Sequence, residues 1–250
     1  MMQRNSVLRT GVVFLVRTAV LVLVLVPTTV MPATAQEWTD YRSIRDGFQI
    51  VFPGEPTVTE ITWKSEFDYM LPARVYSAER GLGRYSLTVV DYSGIEQQGI
   101  ERVKSCAPGA EPCFGSVLSG PGYWKHDVRG ALNYATFGFL QRDVTVTHYL
   151  WNHQDLIEGQ ELQLTNNADQ SRTMAFVAMH EMKLYILEGT VPRGYPEPAL
   201  FQNAMGWLDA DGNRVRYQTI YSNQYYGLKQ YPLPARAGGG RGAGAGAAQP

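Results

Sequence analysis

The sequence predicts an α+β domain: a mainly antiparallel sheet flanked by helices, preceded by an N-terminal export signal. Two observations predict the domain. Short runs rich in β-branched and aromatic residues recur along the chain with turn-forming residues between them, and longer segments space their apolar residues at helical intervals. A third observation, an apolar stretch near the start that ends in a small-x-small tripeptide, predicts export.

Eight segments are predicted to be strands. Each is a short run of β-branched and aromatic residues, which suit a pleated and half-buried surface. Two of them flank the sequence Gly81-Leu-Gly83 and are predicted to form a hairpin. The predicted strands cover residues 48–52, 58–63, 73–78, 84–92, 145–151, 159–164, 173–179 and 183–191.

Two helices and one shorter helix are predicted. The first covers residues 128–141, with Asp127 as its N-cap, because apolar residues recur at i, i+4, i+7 and i+11. The second covers residues 197–208 after Pro196, and its wide apolar stripe suits packing on a sheet. A shorter helix is predicted at residues 95–104.

Residues 1–35 have the pattern of a secretion signal. Arg4 and Arg9 give a positive start, and the apolar stretch that follows is interrupted by Arg17 and continuous over 19–26. The small residues that end at Ala35 predict cleavage before Gln36. The alternative is an uncleaved membrane anchor, in which Arg17 would lie inside the bilayer at a cost of about 2.5–3.5 kcal/mol. Cleavage leaves no stable membrane span and predicts a periplasmic or secreted protein.

The remaining chain is predicted to form one domain at residues 36–234, followed by a disordered Gly/Ala-rich tail at 235–250. Removing the three arginines of residues 1–35 from the 22 basic residues leaves 19 against 23 acidic residues, a net charge of −4. Nucleic-acid binding requires a basic surface, so this balance argues against it.

Cys106 and Cys113 enclose a turn-forming hexapeptide, Ala-Pro-Gly-Ala-Glu-Pro. In an oxidising compartment such a pair is predicted to be a structural disulfide. A redox pair and half of a metal site are the alternatives, although redox motifs usually separate their cysteines by two residues.

Three segments carry a family resemblance. They are residues 38–56, which contain the sequence Gly-Phe-Gln-Ile-Val-Phe-Pro-Gly-Glu-Pro, the strand 184–192, and the aromatic segment 201–207. The chain resembles a group of exported bacterial proteins of unknown function and, more distantly, the PsbP-like fold. That resemblance implies an α/β/α sandwich, and members of the fold are mostly non-enzymatic binding proteins or extrinsic subunits.

No motif in the chain specifies a catalytic site, a metal site or a cofactor. The four histidines lack metal-ligand spacing, and a solvated turn is predicted around His180. On one continuous strand His148 and His153 would face opposite sides, whereas a turn at Trp151-Asn-His153 could bring them together. Ser116 and Ser119 complete no nucleophile elbow. A periplasmic hydrolase with a site assembled from dispersed residues is the alternative function.

The leading prediction is a non-catalytic binding or accessory protein of the cell envelope, whose partner is an envelope protein or a small ligand. Aromatic residues with polar tips favour such interfaces, although they are also ordinary in strands. A late tyrosine-rich run, residues 217–231, suits an extended arm along the domain or along a partner. The predicted contact patch consists of Trp124, His126, Tyr149, Trp151 and His153.

Overall fold

Twelve strands and four helices make up the described part of the chain, residues 38–222 of a computed structural model. In chain order they are β1 (Trp38–Ser43), β2 (Phe48–Pro53), β3 (Thr57–Lys64), β4 (Met70–Arg80), β5 (Gly83–Asp91), α1 (Ile95–Lys104), α2 (Glu111–Phe114), β6 (Gly115–Ser116), β7 (Gly120–Pro121), α3 (Trp124–Leu140), β8 (Val144–Gln154), β9 (Ile157–Asn166), β10 (Arg172–His180), β11 (Lys183–Val191), α4 (Ala199–Gln202) and β12 (Gly206–Trp207).

Seven of the strands form the central sheet, in the order β3-β4-β5-β11-β10-β9-β8. Every pair of neighbours is antiparallel, and all of them except β5/β11 are successive in the chain. The predicted class, a mainly antiparallel sheet with helices, is therefore confirmed, as is the hairpin at Gly81-Leu-Gly83. Strands β3 and β8 form the two edges.

One hydrophobic core lies between the sheet and α3. Alternate residues of the strands point to this face and meet a helix surface that includes Val128, Leu132, Ala135 and Phe139, as the helical spacing predicts. Helix α1 has the predicted bounds and buries Ile95 against the same core. We call this side of the sheet the α3 face.

The second core lies on the opposite face of the sheet. There β1, β2 and β12 form a small antiparallel sheet whose aromatic residues pack onto β5, β10 and β11. Phe48 and Trp207 are cross-strand partners in this small sheet, and both are fully buried. The segment that opens the sequence resemblance, residues 38–56, thus forms the layer that covers the second face.

The prediction of a helix at residues 197–208 is wrong. Only α4 is helical there, and residues 206–207 pair with β2 as a strand. Four apolar residues of this segment are buried without a continuous helix: Phe201, Met205, Trp207 and Leu208. Leu200, which the predicted stripe also included, is 70% exposed. The Trp207 ring is held by a hydrogen bond from its Nε1 to the carbonyl of Gln154 at 2.9 Å.

Asp127 is not the N-cap of α3. The helix begins earlier, at Trp124, after Tyr123 in a left-handed conformation (φ 68°). Asp127 lies inside the first turn, and its Oδ2 accepts hydrogen bonds from Ser65 Oγ and, at 3.2 Å, from the backbone N–H of Phe67. The carboxylate therefore ties the β3–β4 connection to the helix.

Cys106 and Cys113 are paired, with 5.9 Å between their Cα atoms, as predicted for a disulfide. The pair closes the connection between α1 and α2, since Cys113 lies in α2. None of the helices within residues 38–222 is long and apolar enough to span a bilayer. The predicted signal at 1–35, its cleavage between Ala35 and Gln36, and the tail at 235–250 lie outside the described residues.

Candidate functional site at the edge strand β8

Strand β8 brings three of the predicted patch residues together. It forms one edge of the central sheet and, among the described strands, pairs with β9. The register places Tyr149 opposite Leu162, which belongs to the core on the α3 face. Because side chains alternate along a strand, Trp151 and His153 point to that same face. His148 points to the other face, as its spacing from His153 predicts.

Three large side chains on the α3 face of β8 are exposed to solvent: Val146 by 44%, Tyr149 by 48% and Trp151 by 53%. We call these three residues the β8 stripe. Hydrogen bonds fix the polar tips of its two aromatic rings. Tyr149 donates from its hydroxyl to Gln160 Oε1 at 3.1 Å, and Trp151 donates from Nε1 to Glu158 Oε2 at 3.2 Å. The stripe is therefore an ordered surface whose apolar parts face water.

A narrow cleft separates the stripe from α3. One wall is formed by Trp151 and the neighbouring strand β9. The other wall belongs to α3 and consists of Arg129, Leu132 and Asn133. The cavity between the two walls is about 60 Å³. Gln160 crosses it to donate a hydrogen bond to Asn133 Oδ1 at 2.8 Å. The cleft is too small for an organic ligand. The surfaces available to a binding partner are therefore the edge of β8 and the β8 stripe.

The two edges of the sheet differ in charge. Strand β3 carries Glu60 and Lys64, both of which form ion pairs. Strand β8 has eleven residues, none of them Asp, Glu, Lys or Arg. Natural proteins usually protect exposed edge strands with charges, with bulges or by covering them. Within residues 38–222, the device of this kind on β8 is a register irregularity between Val146 and His148.

The other two predicted patch residues lie elsewhere. Trp124 is buried in the core on the α3 face, 3% exposed, so including it in a contact patch was wrong. His126 is exposed near the start of α3, where its ring stacks on Tyr123 at 6.1 Å, and Tyr123 in turn stacks on Phe67 at 5.9 Å. The patch is thus reduced to the residues of β8.

His180 is buried, which overturns the prediction of a solvated turn. It is 2% exposed and contacts the rings of Trp207, Tyr217 and Tyr221. Its Nε2 lies 2.7 Å from the Tyr217 hydroxyl. Burial lowers the pKa of His180 to about 3, with a smaller contribution from Lys183, because the charged imidazolium is poorly solvated there.

Asp127 is the second buried group with a strongly altered pKa. Burial raises its pKa to about 6, although the hydrogen bonds from Ser65 and Phe67 oppose the shift. Its second oxygen, Oδ1, has no hydrogen-bond partner among the described residues. Sequence reasoning missed this environment, because a carboxylate at a helix start most often signals a cap.

A buried ion pair between Asp46 and Arg74 was also missed. Asp46 is fully buried and accepts a hydrogen bond from Arg74 Nε at 2.6 Å, and its backbone carbonyl accepts one from Tyr185 at 2.6 Å. Burial alone would raise the pKa of Asp46, but hydrogen bonds from Arg74 and Tyr76 hold it below its usual value. The pair fixes the β1–β2 turn on the sheet.

These groups do not form a hydrolytic triad. His180 belongs to the core opposite the α3 face, whereas Asp127 and Ser65 lie on the α3 face. Ser116 and Ser119 bond to each other across the β6–β7 turn, with 2.9 Å between their Oγ atoms. Residues 38–222 contain no group of three His, Cys, Asp or Glu side chains arranged to hold a metal ion.

Besides a groove of about 670 Å³ beside β3 and β4, a polar groove of about 630 Å³ lies over strands β4 and β5. On the α3 face, the register aligns Thr57, Ser77, Ser86 and Glu188 in one row across four strands. Glu188 is neutralised by Arg142, with Oε1 and Nη1 2.6 Å apart. The groove is open and has no convergent catalytic pair, so it offers polar contacts only.

No protein-family model matches the chain, and no curated protein matches it in sequence. The fold therefore defines only a broad class, a mainly antiparallel sheet domain with few helices. Function has to be argued from the surface that the chain presents.

Proposed function

We propose that this protein is a non-catalytic binding module of the cell envelope, which captures an extended segment of a partner polypeptide along β8. One observation carries the proposal. Strand β8 is an uncharged edge strand of eleven residues, and it exposes three large apolar side chains on one face. Long, apolar edge strands pair readily with other chains.

Backbone hydrogen bonds would supply most of the affinity. In an antiparallel ladder, every second residue of an edge strand directs its N–H and C=O groups away from the sheet. A partner segment in extended conformation satisfies these groups by becoming an eighth strand. Such recognition depends weakly on the partner's sequence, because the main chain is common to all polypeptides.

The β8 stripe would supply the specificity. A partner strand beside β8 places every second side chain on the α3 face, next to Tyr149 and Trp151. Cross-strand aromatic pairs contribute roughly 0.2–1 kcal/mol each. The hydrogen bonds to Gln160 and Glu158 hold both rings before binding, which reduces the entropy lost on association. The preferred partner therefore carries apolar or aromatic residues at alternate positions.

A periplasmic or secreted location is part of the proposal. The pairing of Cys106 with Cys113 supports an oxidising compartment, since disulfides are rare in the cytosol. The apolar N-terminal stretch and its small-x-small site support export. The partner is accordingly an envelope or extracellular polypeptide.

Capture from an envelope fraction tests the proposal. The mature chain should retain a partner that the double variant Tyr149→Ser/Trp151→Ser loses. The matched control is Val58→Ser/Ile61→Ser on the opposite edge, where the two residues are 44% and 39% exposed. Equal capture by the wild type and the β8 variant would contradict the proposal, as would loss of capture in the β3 control.

A further inference from the structure

The tip of the β6–β7 hairpin presents two adjacent apolar side chains to solvent. Val117 is 89% exposed and Leu118 is 73% exposed, the two highest fractions among the large apolar side chains of residues 38–222. Tight turns usually carry Gly, Asn, Asp, Ser or Pro, and exposed apolar residues are ordinary when they occur singly. An adjacent Val-Leu pair at a tip fits neither case and indicates a contact outside the folded domain.

The backbone of the tip is fixed by the two serines that flank the apolar pair. Ser116 donates its N–H to Ser119 Oγ at 2.6 Å, and Ser119 donates its N–H to Ser116 Oγ at 3.2 Å. The two Oγ atoms lie 2.9 Å apart. These polar groups thus bond to each other inside the turn, which lowers the cost of moving the tip into an apolar medium.

The hairpin is braced on the domain by close packing and by the disulfide. Gly99 of α1 lies against β7, where a Cβ atom at Gly99 would come within 2.3 Å of the carbonyl oxygen of Pro121. The disulfide between Cys106 and Cys113 closes the segment that leads from α1 into the hairpin. The tip is therefore presented on a fixed support, so little conformational entropy is lost when it binds.

A lysine lies at the base of the tip. Lys125 donates from Nζ to the carbonyl of Val117 at 3.2 Å, and its backbone N–H donates to the carbonyl of Ser119 at 2.8 Å. Lys64 and Lys104 pair with carboxylates, whereas Lys125 forms no ion pair within residues 38–222. An ammonium group has three donors, so two remain for an anion. The hairpin thus combines an apolar tip with a cationic base.

This arrangement matches the interface of a lipid bilayer. In interfacial elements, apolar side chains enter the boundary of the acyl chains while lysine or arginine stays at the level of the phosphates. A protein partner fits less well, because a standard protein interface buries about 800 Å² on each side. Two protruding side chains between serines offer far less than that, whereas a bilayer accepts them without a matching pocket.

We propose that the β6–β7 hairpin seats the protein reversibly on a lipid bilayer that contains anionic phospholipid. Val117 and Leu118 enter the boundary of the acyl chains, and the Lys125 ammonium binds lipid phosphate. The contact is weak and reversible, because two side chains bury less apolar surface than a single acyl chain, which itself gives marginal binding. This inference goes beyond the proposed function and does not depend on it, since β8 takes no part in the contact.

Co-sedimentation with vesicles at millimolar lipid tests the proposal on the mature chain, which contains both hydrophobic cores. The probes are vesicles of phosphatidylcholine alone and of an equimolar mixture with phosphatidylglycerol. We expect the wild type to bind the mixed vesicles, and Val117→Ser/Leu118→Ser to bind them at least about tenfold more weakly, because the apolar burial is lost. The matched control is Leu82→Ser/Leu200→Ser, whose leucines are 66% and 70% exposed elsewhere, and it should bind as the wild type does.

The role of the cation is tested separately. Lys125→Gln should weaken binding to the mixed vesicles about fivefold and leave binding to phosphatidylcholine vesicles unchanged. Lys125→Arg keeps the charge and should restore the wild-type affinity. Equal urea midpoints of wild type and variants establish that the fold is intact. A Lys125→Gln protein that binds mixed vesicles as the wild type does would remove the lysine from the contact and contradict the proposal.

Depth of insertion is tested with phosphatidylcholine brominated on its acyl chains, which quenches tryptophan on contact. Leu118→Trp should lose emission on mixed vesicles that contain the brominated lipid, beyond any loss in the wild type. Leu82→Trp places the same ring at another hairpin turn and should lose no more than the wild type. Equal loss in the two variants, or none in Leu118→Trp, would overturn the insertion of this tip.

The remaining outcomes separate a membrane contact from a protein contact. A wild type that does not sediment with mixed vesicles overturns the proposal, and so does a Val117→Ser/Leu118→Ser variant that binds them as the wild type does. Loss of a captured envelope protein in that variant, with no vesicle binding by the wild type, would assign the tip to a protein partner instead. The β8 variant Tyr149→Ser/Trp151→Ser should bind vesicles as the wild type does, so failed capture at β8 leaves this inference standing.

Discussion

Asp127→Asn is expected to stabilise the protein at neutral and alkaline pH. The carboxyl is fully buried, and its pKa is raised from 3.8 to about 6. The folded state therefore binds this proton more tightly than the unfolded chain does, and its contribution to stability is lost as pH rises from about 4 through 6. At ~1.36 kcal/mol per pH unit the loss amounts to about 3 kcal/mol.

The amide keeps the contacts but removes the charge. Its oxygen can accept from Ser65 and Phe67 in place of Oδ2, while its NH₂ group takes the position of the unpartnered Oδ1. We expect the free energy of unfolding of the variant, minus that of the wild type, to grow by about 3 kcal/mol between pH 4 and pH 8.

Urea unfolding at a series of pH values measures this difference directly. Comparing the two proteins at each pH cancels the titration of groups that do not interact with residue 127. The exposed Asp211→Asn is the control and should give no pH-dependent difference. A difference that stays constant from pH 4 to pH 8, or a variant less stable than the wild type at pH 8, would refute the reasoning.

Three further predictions concern stability. The free energy of unfolding of the wild type should fall by up to about 5 kcal/mol as pH falls from 6.5 towards 3, because the pKa of His180 is lower in the folded protein than in the unfolded chain. Urea unfolding of His180→Gln should not show this decrease. Asp46→Asn leaves a buried arginine without its counter-charge and should cost about 3–5 kcal/mol in urea unfolding, whereas Glu60→Gln in an exposed pair should cost about 1 kcal/mol or less. Reducing the Cys106–Cys113 pair should lower the free energy of unfolding by about 2.5 kcal/mol, and the double serine variant should not respond to reductant.

The strands of the central sheet were predictable because the residue pattern that indicates a strand lies within each short segment. Each of the eight predicted strands carries β-branched and aromatic residues between turn formers, and its observed ends lie within three residues of the predicted ones. Strands β1, β6, β7 and β12 were not predicted. The segment at 197–208 failed for a physical reason. Its apolar residues fit a helical stripe, but Trp207 gains a cross-strand partner in Phe48, a contact almost 160 positions distant that no local pattern encodes.

The candidate site was predictable only in part. Tyr149 and Trp151 lie on the predicted strand 145–151, and His153 was singled out just beyond it. The structure places all three residues on one face of β8. Trp124 has the same chemistry but is buried, and burial depends on how α3 packs rather than on residue type. That β8 is an edge strand follows from strand order, which periodicity does not give.

The central claim is that β8 binds a partner as an added strand. Deuterium exchange of the β8 backbone amides, with and without the captured partner, tests this most directly. Strand addition predicts that exchange in β8 slows in the complex, while exchange in β3 at the opposite edge is unchanged. A complex that forms without slowing exchange in β8 would contradict the claim.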